Sequence, residues 1–473
     1  MEPVTRQKSR LEATVANVSE RSIARTLGPS MDTSIARLEP FDLPNPAPES
    51  RVGLYRASNS RRTVLADVDF IESCRESGAA TPSFLEAGPR RRLHFDPATV
   101  RAAIVTSGGI APGLNRVIHA IVQRHHTVYP VDESKGGGVF GVYDGLYGLM
   151  QAPIDMAALR VQDTEPWLDR GGSMLGSRRH YAEDLKALAA VVKENLIREK
   201  IDVLYLIGGD GSLKAGNALA AMIPGLAVVG VPKTMDNDIL WVSQSFGFGT
   251  AVESAAEILT TLYTEAISTR RVGIVELFGA ESGFVTANAA LACGRAALVL
   301  IPEMFSAFDT SEKIEAAFME CLEHVRQRVR QQDRPGTLVV VAEGVGELLE
   351  QRKVTLNGQP VTGDGFAYRI EELLAGNLFD ARRRKVGLFV NRPRHHIRSV
   401  GPNSFDQTYC ERLGALAVET ALAGYTGCMV SFWLNEYVLV PLRLVAAGHK
   451  RMTTNGMFWK QVCLSTGQPP IEG

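Results

Sequence analysis

A chain of 473 residues, 45% of them hydrophobic and 44 of them glycine, holds enough material for two packed domains. Its 51 basic residues against 52 acidic ones argue against a general nucleic-acid or membrane-surface binder, while leaving room for a local basic pocket. No apolar run approaches the roughly 20 residues of a membrane span and the N-terminus lacks the apolar core of a secretory signal, so a soluble, cytoplasmic protein is expected.

Residues 1–55 mix Arg, Ser, Glu and Pro without a period, and the proline-rich run 43–48 reads as linker, which predicts a disordered or extended N-terminal extension. Its arginines leave an organelle address open, against which Glu2, Glu12, Glu20 and Asp32 argue. Residues 56–100 carry short apolar pieces between turns and predict an arm or small lobe packed on the main body. The six cysteines, Cys74, Cys293, Cys321, Cys410, Cys428 and Cys463, are scattered without a close pair and read as reduced packing residues.

At Arg101 the pattern changes. A strand over 102–106, the turn Ser107-Gly108-Gly109 and an amphipathic helix over 114–122 form a candidate phosphate cradle, although a Gly-Gly turn alone is as often a tight connection. Residues 136–147 read as strand and loop. The small-residue stretch 171–177 leads into Arg178 and Arg179 before a helix over 182–198; an arginine there can clamp a phosphate, and taken alone the stretch reads as a solvated helix start.

A buried strand over 203–207 then ends in Gly208-Gly209-Asp210-Gly211-Ser212 and opens a helix over 213–222. Glycines there let backbone N–H groups approach an oxyanion, the helix start favours negative charge, and Asp210 can hold the cation that phosphates bring. The next strand, 226–231, stops at Pro232 and delivers Lys233, Thr234, Met235, Asp236 and Asp238. A lysine and two carboxylates at a strand exit can position a phosphoryl group and deprotonate a hydroxyl. Alone, Asp236 and Asp238 would read as turn carboxylates satisfying backbone amides.

Further on, a long helix over 251–268 precedes a strand over 271–278 and a glycine-bearing turn, Gly279 to Gly283, opening a helix to about 293. Strand 297–301 ends at Pro302-Glu303, helix 311–332 leads to strand 337–342 and the turn Glu343-Gly344, and helix 366–375 precedes strand 386–390 and the run Arg392 to Arg398. A helix over 406–423, a strand pair within 428–440 and a helical tail finish the chain. Strands separated by helices throughout predict an α/β fold of two open Rossmann-like α/β/α sandwich domains, with ligands outside the carboxyl ends of the strands.

With these turns in order, the chain resembles the 6-phosphofructokinase A family over about 84–462. The residues that carry the resemblance are Thr106 to Asn115, Gly208 to Ser212, Pro232 to Asp238, Ser245 to Thr250, Ile301-Pro302-Glu303 and Ala423 to Gly427. It implies a nucleotide-binding domain over 101–248 with a return segment at 399–440, and a sugar-phosphate-binding domain over 249–398 with the tail 441–473. It also implies transfer of the γ-phosphoryl group of ATP to the 1-hydroxyl of fructose 6-phosphate, with Mg²⁺. Asp236 then accepts the hydroxyl proton beside Lys233 and Thr234, Asp210 carries the metal, and Gly109, Arg179, Gly209, Gly211 and Ser212 belong to the donor site. Met235, Phe278, Gly279, Ala280, Glu303, His395 and Arg398 fall at the sugar-phosphate site, and Arg271 matches an arginine that relatives insert from a neighbouring subunit, which implies a homo-oligomer, a tetramer or dimer.

In pyrophosphate-using relatives a second aspartate follows the metal aspartate and opposes the nucleotide's α-phosphate; here that position is Gly211. Lys233 resembles the lysine of those same relatives, so the combination resembles the ATP-dependent branch related to them, found in plants and kinetoplastids. Ala280 stands where an arginine is usual, Phe389 where a basic residue is common, and His395 where an aromatic is usual. Losing a charge-assisted hydrogen bond costs about 1.5 to 3 kcal/mol, enough to weaken or redirect sugar binding unless Arg392, Arg394 or His396 compensates. The alternatives are a pyrophosphate-dependent or altered-acceptor sugar or polyol kinase of the same fold, and a catalytically impaired regulatory paralogue.

Overall fold

The computed structural model describes residues 19–178 and 185–471. Its strands fall into two principal sheets. The first takes β1 (Arg61–Thr63), β2 (Ser83–Glu86), β3 (Arg101–Ser107), β4 (Gly138–Val142), β5 (Met156–Ala158), β6 (Val203–Gly208) and β7 (Ala227–Pro232). The second takes β8 (Arg271–Leu277), β9 (Ala296–Leu300), β10 (Thr337–Ala342) and β11 (Gly387–Asn391), after which the chain returns to the first for β12 (Cys428–Trp433) and β13 (Glu436–Pro441).

In the first sheet the order is β1-β2-β13-β12-β7-β6-β3-β4-β5, with the five strands from β12 to β4 parallel and the outer ones antiparallel. The second runs β9-β10-β8-β11, all parallel. Parallel strands need crossovers and are covered on both faces, which explains why β6 and β7 are buried at every position. Alternate residues of β6 divide between two cores. Tyr205 and Ile207 join Leu114, Ile118 and Leu413 on one side, while Leu204 and Leu206 join Val192, Leu196 and Leu219 on the other.

The register decides where chemistry can occur. Ser107 pairs with Gly208 and Gly208 with Pro232, so β3, β6 and β7 end at one level and release their turns side by side. Gly208 itself is required by packing: a Cβ there would sit 2.4 Å from Cβ of Ser212, in the first turn of the following helix.

Several expectations are corrected. Residues 20–55 are not simply extended: Ser19 caps helix Glu20–Leu27 by accepting from Ser22 N–H, and Ile23, Ala24, Leu27 and Met31 bury against a cluster holding Trp241, Trp433 and Phe84. Residues 56–100 pack on the main body as an arm whose β1 and β2 extend the first sheet beyond β13. Helix Asp210–Met222 starts at Asp210, with Gly209 as its N-cap, so the residues expected as loop form its first turn. Glu343-Gly344 is not a turn but the start of helix Glu343–Gln351, whose two glycines mask it in sequence. Arg392 to Arg398 contains a short helix, Arg394–Ser399.

Candidate active site

The carboxyl ends of β3, β6 and β7 face those of β8 and β10 across a cleft of about 810 Å³. From the first sheet come Gly108, Gly109, Asp210, Gly211, Lys233 and Asp236; from the second come Phe278, Ala280, Glu343 and Arg398. Asp210 and Asp236, on adjacent strands' turns, therefore address the same space. Gly209, Ser212, Thr234 and Met235 line it as well.

Gly108 takes a φ of 86°, a left-handed conformation that glycine adopts freely, and its carbonyl accepts from the Ser177 hydroxyl at 2.6 Å. Lys233 Nζ donates to the Gly109 carbonyl, so the ammonium bridges two of the strand-end turns. At Gly211 an added Cβ would meet nothing within 4 Å, so the space an acidic side chain would take there is open. Arg179 lies outside the described residues.

Asp210 Oδ2 pairs with Lys214 Nζ at 2.5 Å and stands 3.5 Å from His449 Nε2. Its Oδ1 is buried and finds no hydrogen-bond partner among the described residues. A buried, unpartnered carboxylate oxygen facing the cleft fits a hard divalent cation, and Mg²⁺ commonly takes only one or two protein carboxylates, filling its shell with phosphate and water. Among the described residues no group of three or more His, Cys, Asp or Glu is placed to hold a metal ion.

The acid turn is tightly cross-linked. Thr234 Oγ1 donates to Asp238 Oδ1 at 2.8 Å and accepts from Asp236 N–H at 3.1 Å, and Ser245 Oγ donates to the Thr234 carbonyl at 2.5 Å. Asn237 between the aspartates has a φ of 55°. Asp236 Oδ1 is buried without a hydrogen-bond partner among the described residues. Burial, then the nearby Asp238 and Glu343 carboxylates, push the Asp236 carboxyl up to about 7, with Lys233 and Arg398 opposing. Burial also acts upward on Asp238, but the facing His449 imidazole and the hydrogen bond from Thr234 outweigh it and hold that carboxyl below its ordinary value. Two neighbouring acids are thus pushed apart, one suited to exchanging a proton near neutrality and one kept ionised.

On the opposite wall, Gly279 has a φ of 145°, and a Cβ there would strike the Ser282 carbonyl at 2.5 Å. Ala280 reaches the cleft with a methyl group. His395 packs edge-on against Phe278 with ring centroids 5.6 Å apart, Arg398 lies 4.7 Å from the Phe278 ring centroid, and its Nη2 is 3.1 Å from His395 Nδ1. Ser282 Oγ donates to the Asp236 carbonyl at 2.9 Å, joining the two walls.

Gly279 does not line this cleft and His395 lines an adjoining pocket with Gly108, Gly109, Phe278, Glu343 and Arg398, while Glu303 and Arg271 stand away from both. Glu303 is 2% exposed, and its carboxylate accepts from Gly283 N–H at 3.0 and 3.1 Å and from Met452 N–H at 3.0 Å, behind the wall. Arg271 begins β8, at the end of the second sheet away from the cleft, where it pairs with Glu265 and stacks on Phe389, whose own ring covers Gly273. Arg392 and Arg394, considered as compensating cations, are engaged by acids: Arg392 with Glu276 and Asp364, each at 2.8 Å, and Arg394 with Glu343.

Sequence reasoning misses His449 and Lys450. They belong to a tail with no motif, which the Ile239–His449 backbone bridge and the Lys450 side chain join to the acid turn and its loop. His449 Nδ1 is 3.7 Å from Asp238 Oδ2, and the facing Asp238 and Asp210 carboxylates raise the imidazole above its usual value. Lys450 is buried, which lowers its ammonium to about 8 against the opposing pull of Glu20 and Asp238. Glu343 and Glu347 escape as cleft residues because the glycines of their segment suggest a turn.

Comparison with known proteins adds independent findings. Residues 101–421 match the family model described as phosphofructokinase. A protein of Amycolatopsis methanolica named ATP-dependent 6-phosphofructokinase is 37% identical over 406 residues, covering 82% of this chain and 83% of its own. One of the same name from Borreliella burgdorferi is 33% identical, covering 81% and 85%. A solved pyrophosphate-dependent phosphofructokinase from Marinobacter aquaeolei superposes with a TM-score of 0.60 at 21% identity, over 79% of this chain and 92% of that one, a likeness of fold.

Proposed function

The chain belongs to the phosphofructokinase family, and from that premise we propose that it transfers the γ-phosphoryl group of ATP to the 1-hydroxyl of fructose 6-phosphate, a glycolytic step. The observation that carries this reading is the meeting of Asp210, Lys233 and Asp236 in one cleft, with a buried oxygen of each aspartate left without a partner among the described residues.

In this reading the sugar hydroxyl approaches Asp236, whose ionised carboxylate accepts the proton as the oxygen attacks the γ-phosphorus and the bond from that phosphorus to the β,γ-bridging oxygen breaks, releasing ADP. Lys233, fixed by the Gly109 carbonyl, and Arg398, stacked on Phe278, offer positive charge to the transferring oxygens from opposite walls. Asp210 would hold Mg²⁺, which when bound neutralises phosphate charge. Thr234 orients Asp238 and receives the Asp236 N–H, so it keeps the acid turn in shape. The backbone of Gly109, Gly209 and Ser212 would receive the donor's phosphates, with Arg179 beside them. Open space at Gly211 admits a nucleotide, which supports ATP over pyrophosphate.

The domain assignment follows. The first sheet, with its return strands, would bind nucleotide and the second the sugar phosphate through Met235, Phe278, Gly279, Ala280, His395 and Arg398. Arg271 faces away from its own cleft, so service to a sugar phosphate would require a neighbouring copy, which supports a homo-oligomer. Glu303 would belong to the sugar wall through the Gly283 N–H it holds. None of the described helices is long and apolar enough to cross a membrane, and we place the enzyme in the cytoplasm as part of the same proposal.

The test is a coupled assay with ATP and pyrophosphate as donors and fructose 6-phosphate, other sugar phosphates and free polyols as acceptors. Fructose 6-phosphate with ATP should give the highest kcat/KM. A better rate with pyrophosphate overturns the donor assignment, and a better rate with another acceptor, which the methyl group of Ala280 would favour, overturns the sugar.

A further inference from the structure

Between β13 and helix Met457–Thr466 the chain runs back beneath the acid turn. Lys450 N–H donates to the Asp238 carbonyl at 2.7 Å, and Met452 N–H to Glu303 at 3.0 Å. The Lys450 side chain points inward, where Nζ donates to Asn237 Oδ1 at 3.1 Å and to the Val242 carbonyl at 2.6 Å. These two acceptors bracket the loop 237–242. Glu20, from the N-terminal helix, reaches the same loop by accepting from Trp241 N–H at 3.2 Å.

Asn237 separates Asp236 from Asp238, and its φ of 55° is a conformation that residues with a Cβ adopt reluctantly. Its Oδ1 also accepts from Ser245 N–H at 3.0 Å, so that one amide oxygen gathers the strained turn, the following loop and the tail. A buried ammonium is an unfavourable way to fill space, since an apolar side chain of similar length would pack without losing hydration. One of its donors goes to the residue between the two carboxylates, whose backbone sets the direction in which both leave, and another to Val242 at the far end of the loop.

We propose that Lys450 is a positioning residue for phosphoryl transfer: by donating to Asn237 and Val242 it fixes the left-handed turn that aims Asp236 and Asp238 into the cleft, without itself touching either substrate. The proposal rests on Asp236 being the base of the proposed reaction.

The experiment compares Lys450→Met with the wild-type enzyme on whichever acceptor the wild type phosphorylates, so that a wrong sugar leaves the comparison intact. A displaced acid turn should lower kcat about 10- to 100-fold while the KM for nucleotide stays within about twofold and circular dichroism is unchanged. A kcat within about threefold of wild type overturns the proposal, as does a loss confined to nucleotide KM. Should Lys450→Met fail to fold, Asn237→Ala against Asn237→Gly decides the matter. Both lose the acceptor, but glycine keeps the left-handed φ freely, so alanine should lose clearly more kcat, and equal losses overturn the proposal. Full turnover in Asp236→Asn would overturn the base assignment and this inference with it.

Discussion

The two walls of the cleft are built differently. On the first-sheet wall, three parallel strands end in register and chemistry sits directly on their exits: Gly108 and Gly109, Gly209 to Ser212, Lys233 to Asp238. On the second-sheet wall the strand exits carry long side chains that answer one another first, Arg394 with Glu343, Arg392 with Glu276 and Asp364, His395 with Phe278 and Arg398. Phosphate can be held by backbone geometry, which short motifs encode. A sugar must be read by side chains whose reach depends on tertiary partners.

The sharpest way to break this contrast is to strike each wall in turn. Asp236→Asn should lower kcat by about 10²- to 10⁴-fold with nucleotide binding retained, by steady-state kinetics and calorimetric titration. The same variant should melt higher than wild type at pH 8. A carboxyl raised from 3.8 to about 7 favours folding below its unfolded value and loses that advantage as pH rises through about 7, a loss the amide never suffers. Next in size, Asp210→Asn should lower kcat/KM by about 100-fold and raise the Mg²⁺ concentration needed for half-maximal rate.

A pH profile sharpens the comparison further. With Asp236 as base, kcat/KM should fall about tenfold per unit as pH drops below about 7, and a limb in the ordinary carboxylate range would remove Asp236 from that role. On the second wall, Ala280→Arg should lower KM for fructose 6-phosphate roughly tenfold, the effect of about one charge-assisted hydrogen bond. A rise in KM instead would mean that this wall does not meet the sugar phosphate. The smallest effect belongs to Glu303→Gln. It serves the Gly283 and Met452 amides from behind the wall, so stability should drop by about 1 kcal/mol while kcat stays within a few fold.

The same division governs what the amino-acid sequence makes legible. Strands 203–208 and 227–232 are unbroken apolar runs between glycine and proline signals, and pattern alone places both within a residue. The arrival of Asp210, Lys233 and Asp236 at neighbouring strand exits is also legible. What escapes is non-local. Glu303 follows a strand end like the others, yet two backbone amides claim it, and nothing in its flanking residues announces Gly283 or Met452. His449 and Lys450 sit in a stretch without period or motif, and tertiary pairing with Ile239, Asn237 and Val242 gives them a place. The helix Glu343–Gln351 is hidden by its own glycines, which propensity discounts and packing against Ala280 and Phe366 restores.

The threading of the chain carries one more consequence. The strand flanking β7 and the segment beneath the acid turn both come from residues beyond 427, long after the aspartates themselves. Synthesis from the N-terminus therefore delivers Asp210, Lys233 and Asp236 before the residues that hold them, and a chain ended before residue 428 would carry all three without the strand beside β7 or the hydrogen bonds from Lys450 to the acid turn.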